Sequence, residues 1–512
     1  MGTETKLTGP DLVSGIEPAA LADGEKLLGH ANGEPVLLAR VGGEYYAIGA
    51  TCTHYGGPLA EGTLVGDTVR CPWHHACFNL RTGDALRAPA LNPAAGWRVA
   101  QRGGRIIVTE KVERDPLAPV YPVERPSRSI NRVIIVGAGA AGAAAAEMLR
   151  RCGFAGDVTV IDDDGDAPYD RPNLSKDYLA GNAPEQWIPI RPAGFYDDHR
   201  IAIVRERATK IDPARHTVQT GNTTLSFDAL ILATGAEPVR LTTPGSDLPH
   251  VRYLRSLRDS RAIIRDAASA KSAVVIGASF IGLEVAASLR TRDPDLDVHV
   301  VAPEKLPLER VMGRDLGQFI QSIHEEHGVA FHLGETATTI ARDSVTLSGG
   351  ARLAADLIVV GVGVRPRVQL AQDAGLRIEK GVVVDEFLQT SAPGIYAAGD
   401  IARWPDPHSG APIRVEHWVV AERQGQTAAR NVLGAGERFD QVPFFWSAHY
   451  DVSINYVGHA ERVERTDVDG SAKDRDIAVR FVEGGRTRAL ATVFRDTQSL
   501  EAEIAMEREV GA

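Results

Sequence analysis

The chain has 512 residues, 44% hydrophobic and 24% charged, so it is too long for one hydrophobic core and is expected to form three or four domains. Its net charge of −11 argues against nucleic-acid binding and is compatible with docking to a basic redox partner. No apolar run is long enough for a membrane span and the N-terminus lacks a signal-peptide pattern, so we expect a cytoplasmic protein.

Residues 1–112 are predicted to form a small all-β domain. Short alternating strands at 36–41, 44–48 and 105–108 are separated by glycine-rich turns, a pattern typical of antiparallel sheets. Two loops in this region each carry one cysteine and one histidine, namely Cys52 with His54 and Cys71 with His74.

These four side chains are the set that a Rieske-type [2Fe-2S] cluster needs, because two cysteine sulfurs bind one iron and two histidine nitrogens bind the other. A zinc site could use the same residues, but structural zinc usually takes paired cysteines from one loop and paired histidines from another element. A Cys52–Cys71 disulfide is the other alternative, yet 4 cysteines in the whole chain do not indicate an oxidising compartment. The sequence therefore favours the iron–sulfur cluster.

The residues around both loops resemble those of Rieske domains. Gly56, Gly57 and Pro58 follow the first pair, and the sequence FNLRTG at 78–83 follows the second. Some Rieske proteins carry a disulfide that links the two loops, and Gly57 and Trp73 stand where those cysteines would be. The resemblance therefore implies a lower-potential, ferredoxin-like cluster.

A proline-rich, charged stretch at 113–130 is predicted to be an extended linker, because it offers few residues for a core. From Arg132 the pattern changes. Buried-type strands at 133–136 and 158–161 alternate with alanine-rich helices, which indicates a parallel α/β sheet.

The first strand–turn–helix unit carries Gly137, Gly139 and Gly142. The first glycine permits the tight turn, the second lets a pyrophosphate approach the backbone, and the third lets the helix pack closely on the strand. The helix N-terminus then faces the phosphates with its partial positive charge. Roughly twenty residues later, Asp162 or its neighbour Asp163 ends the next strand, where a carboxylate can bind ribose hydroxyls.

Three further segments resemble the FAD-dependent pyridine-nucleotide oxidoreductases, and among them the ferredoxin reductases and apoptosis-inducing-factor-like proteins. They are the loop 168–176 with Arg171 and Lys176, the turn Ala233-Thr234-Gly235, and the pair Gly399-Asp400. The resemblance implies FAD as a cofactor, with Arg171 near it, Lys176 against its isoalloxazine ring and Asp400 on its ribityl chain. Taken alone, Lys176 would be read as a solvated lysine and Asp400 as a helix N-cap.

A second unit begins near residue 273 with Gly277, Ser279, Gly282 and Glu284, and predicts a site for NAD(P)H. Ser279 replaces the middle glycine, so its side chain narrows the approach of the pyrophosphate, although its hydroxyl could donate a hydrogen bond. The resemblance places Glu284 near the nicotinamide, where otherwise an exposed helix residue would be expected. Ala302 stands where NAD sites usually carry an acid. NADH is thus favoured by the resemblance only, and the coenzyme choice stays open.

The segment 439–512 is predicted to be a small α+β domain. Its PFFWS motif at 443–447 resembles one in the reductase family, in which an aromatic side chain approaches the flavin. Ordinary packing at a domain interface is the alternative for Trp446. No cysteine pair accompanies the predicted flavin loop, so electrons must leave to something other than a thiol pair.

The complete prediction is a multidomain fold with an all-β Rieske domain, two Rossmann-like α/β domains and an α+β domain. The predicted boundaries are 1–112 for the Rieske domain, 131–252 with 376–438 for the FAD domain, 253–375 for the NAD(P)H domain, and 439–512 for the C-terminal domain.

The predicted activity is that of an FAD-dependent NAD(P)H oxidoreductase of the ferredoxin-reductase type, with Lys176 and Glu284 as catalytic residues. Electrons would pass from NAD(P)H through FAD to the fused cluster, and then to an unidentified acceptor such as an oxygenase, a cytochrome or a small oxidant. Two alternatives stay open: direct reduction of a small oxidant by NADH, and a redox-controlled signalling role like that of the apoptosis-inducing-factor proteins.

Overall fold

The structure is a computed structural model and describes residues 7–120, 130–221 and 223–511. Residues 121–129 of the predicted linker lie outside the described residues. The part of the linker that is described, residues 113–120, follows the last strand of the N-terminal domain without regular secondary structure. None of the helices in the described ranges combines the length and the apolar character that a bilayer crossing requires.

The N-terminal domain is all-β, as predicted. Its strands are β1 Lys26–Ala31, β2 Glu34–Val41, β3 Glu44–Gly49, β4 Thr63–Val65, β5 Thr68–Arg70, β6 Cys77–Asn79, β7 Ala85–Arg87, β8 Gly96–Arg102 and β9 Arg105–Val112. They form two antiparallel sheets in the orders β1-β2-β3-β8-β9 and β4-β5-β6-β7. The loop with Cys52 and His54 joins the two sheets, and the loop with Cys71 and His74 lies inside the second sheet, between β5 and β6.

The first α/β unit follows the glycine-rich turn that the sequence predicts. Its elements are β10 Arg132–Val136, α1 Ala140–Arg151, β11 Asp157–Ile161, α2 Asp177–Ala180, α3 Phe195–Asp198, β12 Ile201–Val204, β13 Ala208–Asp212, β14 Thr217–Thr220, β15 Thr223–Ser226, β16 Ala229–Leu232 and β17 Ala236–Pro238. The next strand, β18 Val251–Tyr253, joins the sheet of the second unit. Because α1 is alanine-rich and buried along its whole length, it can pack closely between the sheet and the rest of the molecule.

The second α/β unit repeats the pattern. Its elements are α4 Leu257–Ala267, β19 Ser272–Ile276, α5 Phe280–Arg292, β20 Asp297–Ala302, α6 Glu309–Glu326, β21 Val329–Leu333, β22 Ala337–Ile340, β23 Ser344–Leu347, β24 Arg352–Ala354, β25 Leu357–Val360, β26 Val364–Pro366 and α7 Gln369–Asp373. A capping box between Ser256 and Asp259 begins α4.

The chain then returns to the first unit and ends in an α+β region. Its elements are β27 Val382–Val383, β28 Ile395–Ala397, β29 Ala402–Asp406, β30 Ala411–Ile413, α8 Trp418–Val432, β31 Phe444–His449, β32 Val452–Gly458, β33 Arg465–Ser471, β34 Asp476–Glu483, β35 Arg486–Val493 and α9 Asp496–Gly511. The last strands form one antiparallel sheet in the order β31-β32-β35-β34-β33.

Two parallel sheets carry the glycine-rich turns. The first has the order β12-β11-β10-β16-β28, so a strand from near residue 395 completes a sheet that begins at residue 132. The second has the order β18-β25-β19-β20-β21. In each sheet the glycine-rich turn follows a central strand, β10 or β19, at its carboxyl end. This edge is where open α/β sheets bind their ligands.

Helix α9 brings the end of the chain back to the N-terminal domain and places Glu503 in a buried cluster of charges. The carboxylate of Glu503 accepts hydrogen bonds from Arg423 of α8 at 2.8 Å and from Arg87 of β7 at 2.9 Å, and it also contacts His75. The side chains of Glu503, Arg423 and His75 have 0% solvent exposure. Buried charges are tolerated only when they are paired, so this cluster selects one docking arrangement of the three elements.

The charge on Glu503 is maintained by its neighbours. Burial raises the pKa of Glu503, but the positive charges of Arg423 and Arg87 outweigh that effect and hold the pKa well below its usual value. One turn later, Glu507 binds Arg87 at 2.6 Å and Arg70 at 2.6 Å. The cluster therefore extends from the buried interface to its half-buried margin and fixes the N-terminal domain on the reductase part of the chain.

Replacing Glu503 with Gln would leave Arg423 and Arg87 without their shared counter-charge in the buried interface. We expect Glu503→Gln to lower the free energy of unfolding by about 3–5 kcal/mol, the usual cost of breaking a buried ion pair from one side. Urea denaturation followed by near-ultraviolet circular dichroism measures this change.

The matched control is Glu501→Gln, the same substitution at an exposed position of α9. It should change the free energy of unfolding by no more than about 0.5 kcal/mol. Equal effects of the two substitutions would contradict the role given to the Glu503 cluster.

Candidate functional site

The two cysteine–histidine loops bring their four predicted ligands together as two pairs. The Nδ1 atoms of His54 and His74 are 3.2 Å apart. The thiols of Cys52 and Cys71 are buried, lie within hydrogen-bonding distance of each other and do not form a disulfide. Burial lowers the pKa of His54 to about 3 and that of His74 well below its usual value, so both imidazoles are neutral, as metal ligands must be.

The pairing of thiol with thiol and of imidazole with imidazole fits a two-iron cluster. In such a cluster, two cysteine sulfurs bind one iron and two histidine nitrogens bind the other. Among the residues that the structure describes, no three His, Cys, Asp or Glu side chains converge as a single metal ion requires. A closed zinc site needs four such ligands around one ion. The two ligand pairs therefore fit the predicted two-iron cluster. The other cysteines, Cys77 and Cys152, are buried in β6 and just after α1.

Trp73 fills the space in which some Rieske proteins place a disulfide between the loops. A Cβ atom added to Gly57 would lie 2.6 Å from the sulfur of Cys71 and 3.2 Å from the Trp73 ring. The indole therefore packs directly over Gly57, and the two loops are held by this packing. The ferredoxin-like type of cluster that the resemblance implies stays a prediction.

Both predicted nucleotide sites open into one cavity of about 1150 Å³, at the upper limit of ordinary ligand pockets. The predicted residues that line it are Gly137, Gly139, Asp162, Asp163, Arg171, Lys176, Ala233, Thr234, Gly235, Ser279, Glu284, Gly399, Asp400 and Trp446. Gly142, Gly277 and Gly282 are absent from this lining, and their role is in backbone packing.

The glycine-rich turns have the geometry that a dinucleotide requires. A Cβ on Gly137 would lie 2.3 Å from the carbonyl oxygen of Ala233, and a Cβ on Gly142 would lie 1.8 Å from the carbonyl oxygen of Gly137. A Cβ on Gly139, in contrast, would project into open space towards Arg171, 3.6 Å away. Gly139 also begins α1 without a side-chain cap. The free N–H groups of the first helical turn are therefore available to a pyrophosphate.

The second turn repeats the two packing glycines but uses Ser279 differently from the expectation. A Cβ on Gly282 would lie 2.1 Å from the carbonyl oxygen of Gly277. The hydroxyl of Ser279 donates to the carbonyl oxygen of Gly361 at 2.6 Å and accepts from the N–H of Gly282 at 3.4 Å, so Ser279 is the N-cap of α5. The hydroxyl proton is already donated to Gly361, so the predicted donation to a pyrophosphate would require that hydrogen bond to break.

The two candidate ribose acids have different environments. Asp162 immediately follows β11 and accepts the N–H of Ala138, in the glycine-rich turn, at 3.1 Å. Asp163 is turned towards Arg207, with which it forms an ion pair of 2.6 Å. Both line the cavity, but the contact with the turn places the carboxylate of Asp162 beside the first nucleotide site.

Asp400 is a partner of Arg255 and not a helix cap. The two side chains are 2.7 Å apart, and Arg171 donates to the carbonyl oxygen of Arg255. All three residues line the cavity. The predicted flavin loop, the Gly399-Asp400 turn and the start of the second α/β unit therefore meet at one place.

Lys176 and Glu284 form an ion pair of 2.7 Å at the meeting point of the two nucleotide sites. The side chain of Glu284 is 2% exposed and that of Lys176 is 13% exposed, so neither is a solvated surface residue. Ser175 also donates to Glu284, at 2.5 Å. The pair thus fixes the predicted flavin loop against α5 of the second unit.

Trp446 connects this cavity to the cysteine–histidine loops. It lines the cavity, and its ring centroid is 4.2 Å from that of His74 and 6.0 Å from that of His54. Lys176 Nζ lies 5.9 Å from the same indole on the cavity side. Trp446 therefore both packs at a domain interface and lines the nucleotide cavity, which combines the two alternatives that the sequence leaves open.

Several residues of the site have no sequence signal that predicts their place. Tyr55, next to His54, hydrogen-bonds to Asp170 of the predicted flavin loop. Ser447 and His449 lie behind Glu284. Of these residues, only Ser447 is part of a recognisable motif. The contacts of the others join positions that lie far apart in the chain, so no local pattern predicts them.

Two families match the chain: "Rieske [2Fe-2S] domain" over residues 15–106 and "Pyridine nucleotide-disulphide oxidoreductase" over residues 131–425. "Apoptosis-inducing factor 3" of Homo sapiens is 31% identical over 479 residues, covering 90% of this chain and 78% of that protein. "Rhodocoxin reductase" of Rhodococcus erythropolis is 36% identical over 377 residues, covering 72% and 88%. The structure of a covalent putidaredoxin reductase–putidaredoxin complex superposes with a TM-score of 0.72 at 32% identity, covering 74% and 94%.

The glycines of the first turn offer a pair of variants that separates folding from nucleotide binding. Gly142→Ala forces a Cβ against the Gly137 carbonyl, so we expect a destabilised first α/β unit and protein purified without FAD. Gly139→Ala should leave the thermal unfolding unchanged and weaken FAD binding about tenfold or more, which is about 1.4 kcal/mol.

Thermal denaturation and FAD titration of the apoprotein measure the two effects. The assignment of the first turn to FAD would be wrong if Gly139→Ala bound FAD as tightly as the unmodified protein. This assignment would also be wrong if Gly139→Ala and Gly142→Ala had the same melting temperature.

Proposed function

Because this chain belongs to the pyridine nucleotide-disulphide oxidoreductase family and carries a Rieske domain, we propose that it transfers electrons from NAD(P)H to its own [2Fe-2S] cluster and then to an external acceptor. The predicted resemblance to both families is confirmed. The chain is an FAD-dependent oxidoreductase, and its cofactors are FAD, a pyridine nucleotide and a Rieske-type [2Fe-2S] cluster. The order of the electron path and the residue assignments below are proposals.

The cofactors supply complementary chemistry: FAD accepts a hydride and can release electrons singly, and the cluster carries one electron at a time. The protein holds them. Cys52 and Cys71 would bind one iron, and His54 and His74 the other. The turn at Gly137, Gly139 and Gly142 would hold the FAD pyrophosphate, with Asp162 on the ribose.

The contacts around the cavity support three further assignments. Arg171 and Asp400 would position FAD from two sides, because both are anchored on Arg255. The turn at Gly277 and Gly282 would hold NAD(P)H, whose pyrophosphate would face the N-terminus of α5. The Lys176–Glu284 pair would lie where the reacting rings of the two nucleotides meet, since it joins the two units at the cavity.

The observation that carries this proposal is the position of Trp446 between the nucleotide cavity and His74. A cluster on the opposite face of the N-terminal domain would have no such contact. Here the histidine pair of the cluster faces the indole, and the indole faces Lys176. With a cluster bound by His54 and His74, electrons would therefore enter it at the imidazole end.

Because the Rieske domain and the reductase belong to one chain, electron transfer between them would not depend on diffusion of two separate proteins. The linker at 113–130 raises the effective concentration of the Rieske domain at the reductase. The Glu503 cluster then fixes the orientation. Reduction of the cluster within the chain needs no separate ferredoxin, so the cluster itself would meet the external acceptor.

Removing one cluster ligand tests whether the cluster lies on the path. We expect Cys52→Ala to lose the optical and spin-resonance signals of the cluster and to keep reduction of the flavin by NADH. Turnover with the acceptor should be lost, because electrons cannot leave the flavin singly through an absent cluster.

Anaerobic titration with NADH and with NADPH, with flavin and cluster absorbance recorded separately, gives the coenzyme preference in the same experiment.

Cys77→Ala is the matched control, because Cys77 is a buried cysteine of the same domain outside the predicted ligand set. It should keep the cluster signals. Full turnover in Cys52→Ala would place the cluster off the path and favour direct reduction of a small oxidant.

A second variant tests the route between the two redox centres. We expect Trp446→Ala to slow reduction of the cluster by NADH about tenfold or more, equivalent to about 1.4 kcal/mol in the barrier. The rate of flavin reduction should change little, because the indole lies on the His74 side of Lys176. Stopped-flow absorbance at the flavin and cluster bands measures both rates.

Trp187→Ala is the control for Trp446→Ala, since Trp187 is 68% exposed and does not line the cavity. It should leave both rates unchanged. If cluster reduction were as fast in Trp446→Ala as in the unmodified protein, the proposed route through the indole would be wrong.

A further inference from the structure

The Glu284 carboxylate is the inner end of a chain of buried hydrogen bonds that leads away from the cavity. Ser447 Oγ is 2.6 Å from Glu284 Oε1 and 3.1 Å from Nε2 of His449. Nδ1 of His449 is 3.2 Å from Nε2 of His324. None of these four residues is more than 2% exposed. This series of hydrogen bonds joins α5, β31 and α6. Apart from Glu284, its residues have no part in the electron path proposed above.

The direction of every hydrogen bond follows from the carboxylate of Glu284, which accepts because it is paired with the ammonium group of Lys176. Glu284 Oε2 accepts from Ser175 and Lys176, and Oε1 accepts from Ser447. The oxygen of Ser447 is then free to accept from the Nε2–H of His449. In turn, Nδ1 of His449 accepts from the Nε2–H of His324. Both histidines are thereby held as the Nε2–H tautomer.

The outer end of this chain is Nδ1 of His324. It is buried and has no hydrogen-bond partner in the described part of the protein. In the tautomer derived above it carries a lone pair and no proton, so it is a vacant proton acceptor. His324 packs against Phe331 and against Tyr450, whose ring centroid is 5.3 Å away. The half-buried His327 stacks on Tyr450 at 3.6 Å and leads towards the surface.

Both histidines of the chain are neutral. Burial lowers the pKa of His449 to about 3, and the charge of Lys176 acts in the same direction. Burial, His449 and His327 together hold the pKa of His324 well below its usual value. Arg290 also lies near this end, and its charge acts on Tyr450. A neutral imidazole can accept a proton at one nitrogen while it donates from the other, so neither histidine needs to hold a charge.

We propose that Ser447, His449 and His324 form a proton relay that ends on Glu284. A proton that binds Nδ1 of His324 displaces the proton on its Nε2 to Nδ1 of His449. The Nε2 proton of His449 passes to Ser447, and the hydroxyl proton of Ser447 passes to Glu284. One proton enters at His324, one arrives at Glu284, and no heavy atom moves. The reverse sequence returns the proton to the outer end.

The relay would compensate a charge that the proposed reaction creates. The proposal therefore rests on the function proposed above. Hydride transfer from NADH leaves the cavity one negative charge richer after NAD⁺ leaves. An added negative charge close to the buried carboxylate of Glu284 is costly unless it is compensated. Protonation of Glu284 would compensate this charge while FAD is reduced. When two electrons leave for the cluster, Glu284 would return its proton to the outer end, and the proton that came with the hydride would also leave the cavity.

The tautomers of the two histidines are the direct readout. In ¹⁵N-histidine-labelled, FAD-loaded protein, nuclear magnetic resonance should report neutral Nε2–H tautomers for His449 and His324 in the oxidised state. After anaerobic reduction by NADH, both should become Nδ1–H tautomers. Tautomers that stay the same in the two oxidation states would overturn the proposal.

The variant His449→Gln tests the same relay by a different measurement. Glutamine can donate to Ser447 and accept from His324, but it cannot shift a proton from one atom to the other as an imidazole does. With a pH indicator in weak buffer, it should take up one proton fewer than the unmodified protein upon reduction. The control is His299→Gln, a histidine paired with His332 outside the relay, which should take up the full number.

The outcomes separate this proposal from the proposed function. Equal proton uptake by His449→Gln and the unmodified protein overturns the relay alone. If His449→Gln does not retain FAD, the tautomers of the unmodified protein decide. If NADH does not reduce the flavin, the proposed function fails, and reduction by dithionite still tests whether the tautomers switch.

Discussion

The arrangement of this protein depends on the buried carboxylate of Glu503. It accepts hydrogen bonds from Arg423 and Arg87, which come from two different parts of the chain, in a solvent-inaccessible interface. An unpaired charge there would be far more costly than the loss of an ordinary contact. The N-terminal domain can therefore dock closely in the orientation that completes the pairing, and other orientations leave at least one charge uncompensated.

That orientation decides what the cluster loops face. His75, which touches Glu503, directly follows His74 in the chain, so fixing the one positions the other. His74 then meets Trp446 at the rim of the nucleotide cavity, and Tyr55 meets Asp170 of the predicted flavin loop. An exposed tether between two independent domains would give many geometries. The buried charges give one, with the histidine side of the cluster towards the cavity.

Glu284 has a comparable role inside the reductase part. Its two carboxylate oxygens accept from Lys176 of the flavin loop and from Ser447 of the C-terminal sheet, while Glu284 itself belongs to the nucleotide-binding helix α5. Three segments that are distant in sequence are thus held by one side chain at the point where the two nucleotides are proposed to meet. The same carboxylate is where the histidine chain from α6 ends, so its position serves both structure and proton balance.

Features that depend on local backbone geometry and on residue chemistry could be predicted from the sequence. The spacing of Gly137 and Gly142 requires close packing of a turn, and the structure has it because a Cβ at either position would collide with a backbone carbonyl. The residue types in the cysteine–histidine loops likewise indicate the metal chemistry of the site. Other contacts depend on the packing of distant segments: the Ser279 hydroxyl donates to Gly361, Trp446 touches His74, and Glu503 and His449 are buried among distant partners. These contacts join positions with no fixed spacing in the chain, so their energies depend on how whole domains pack and no local pattern encodes them.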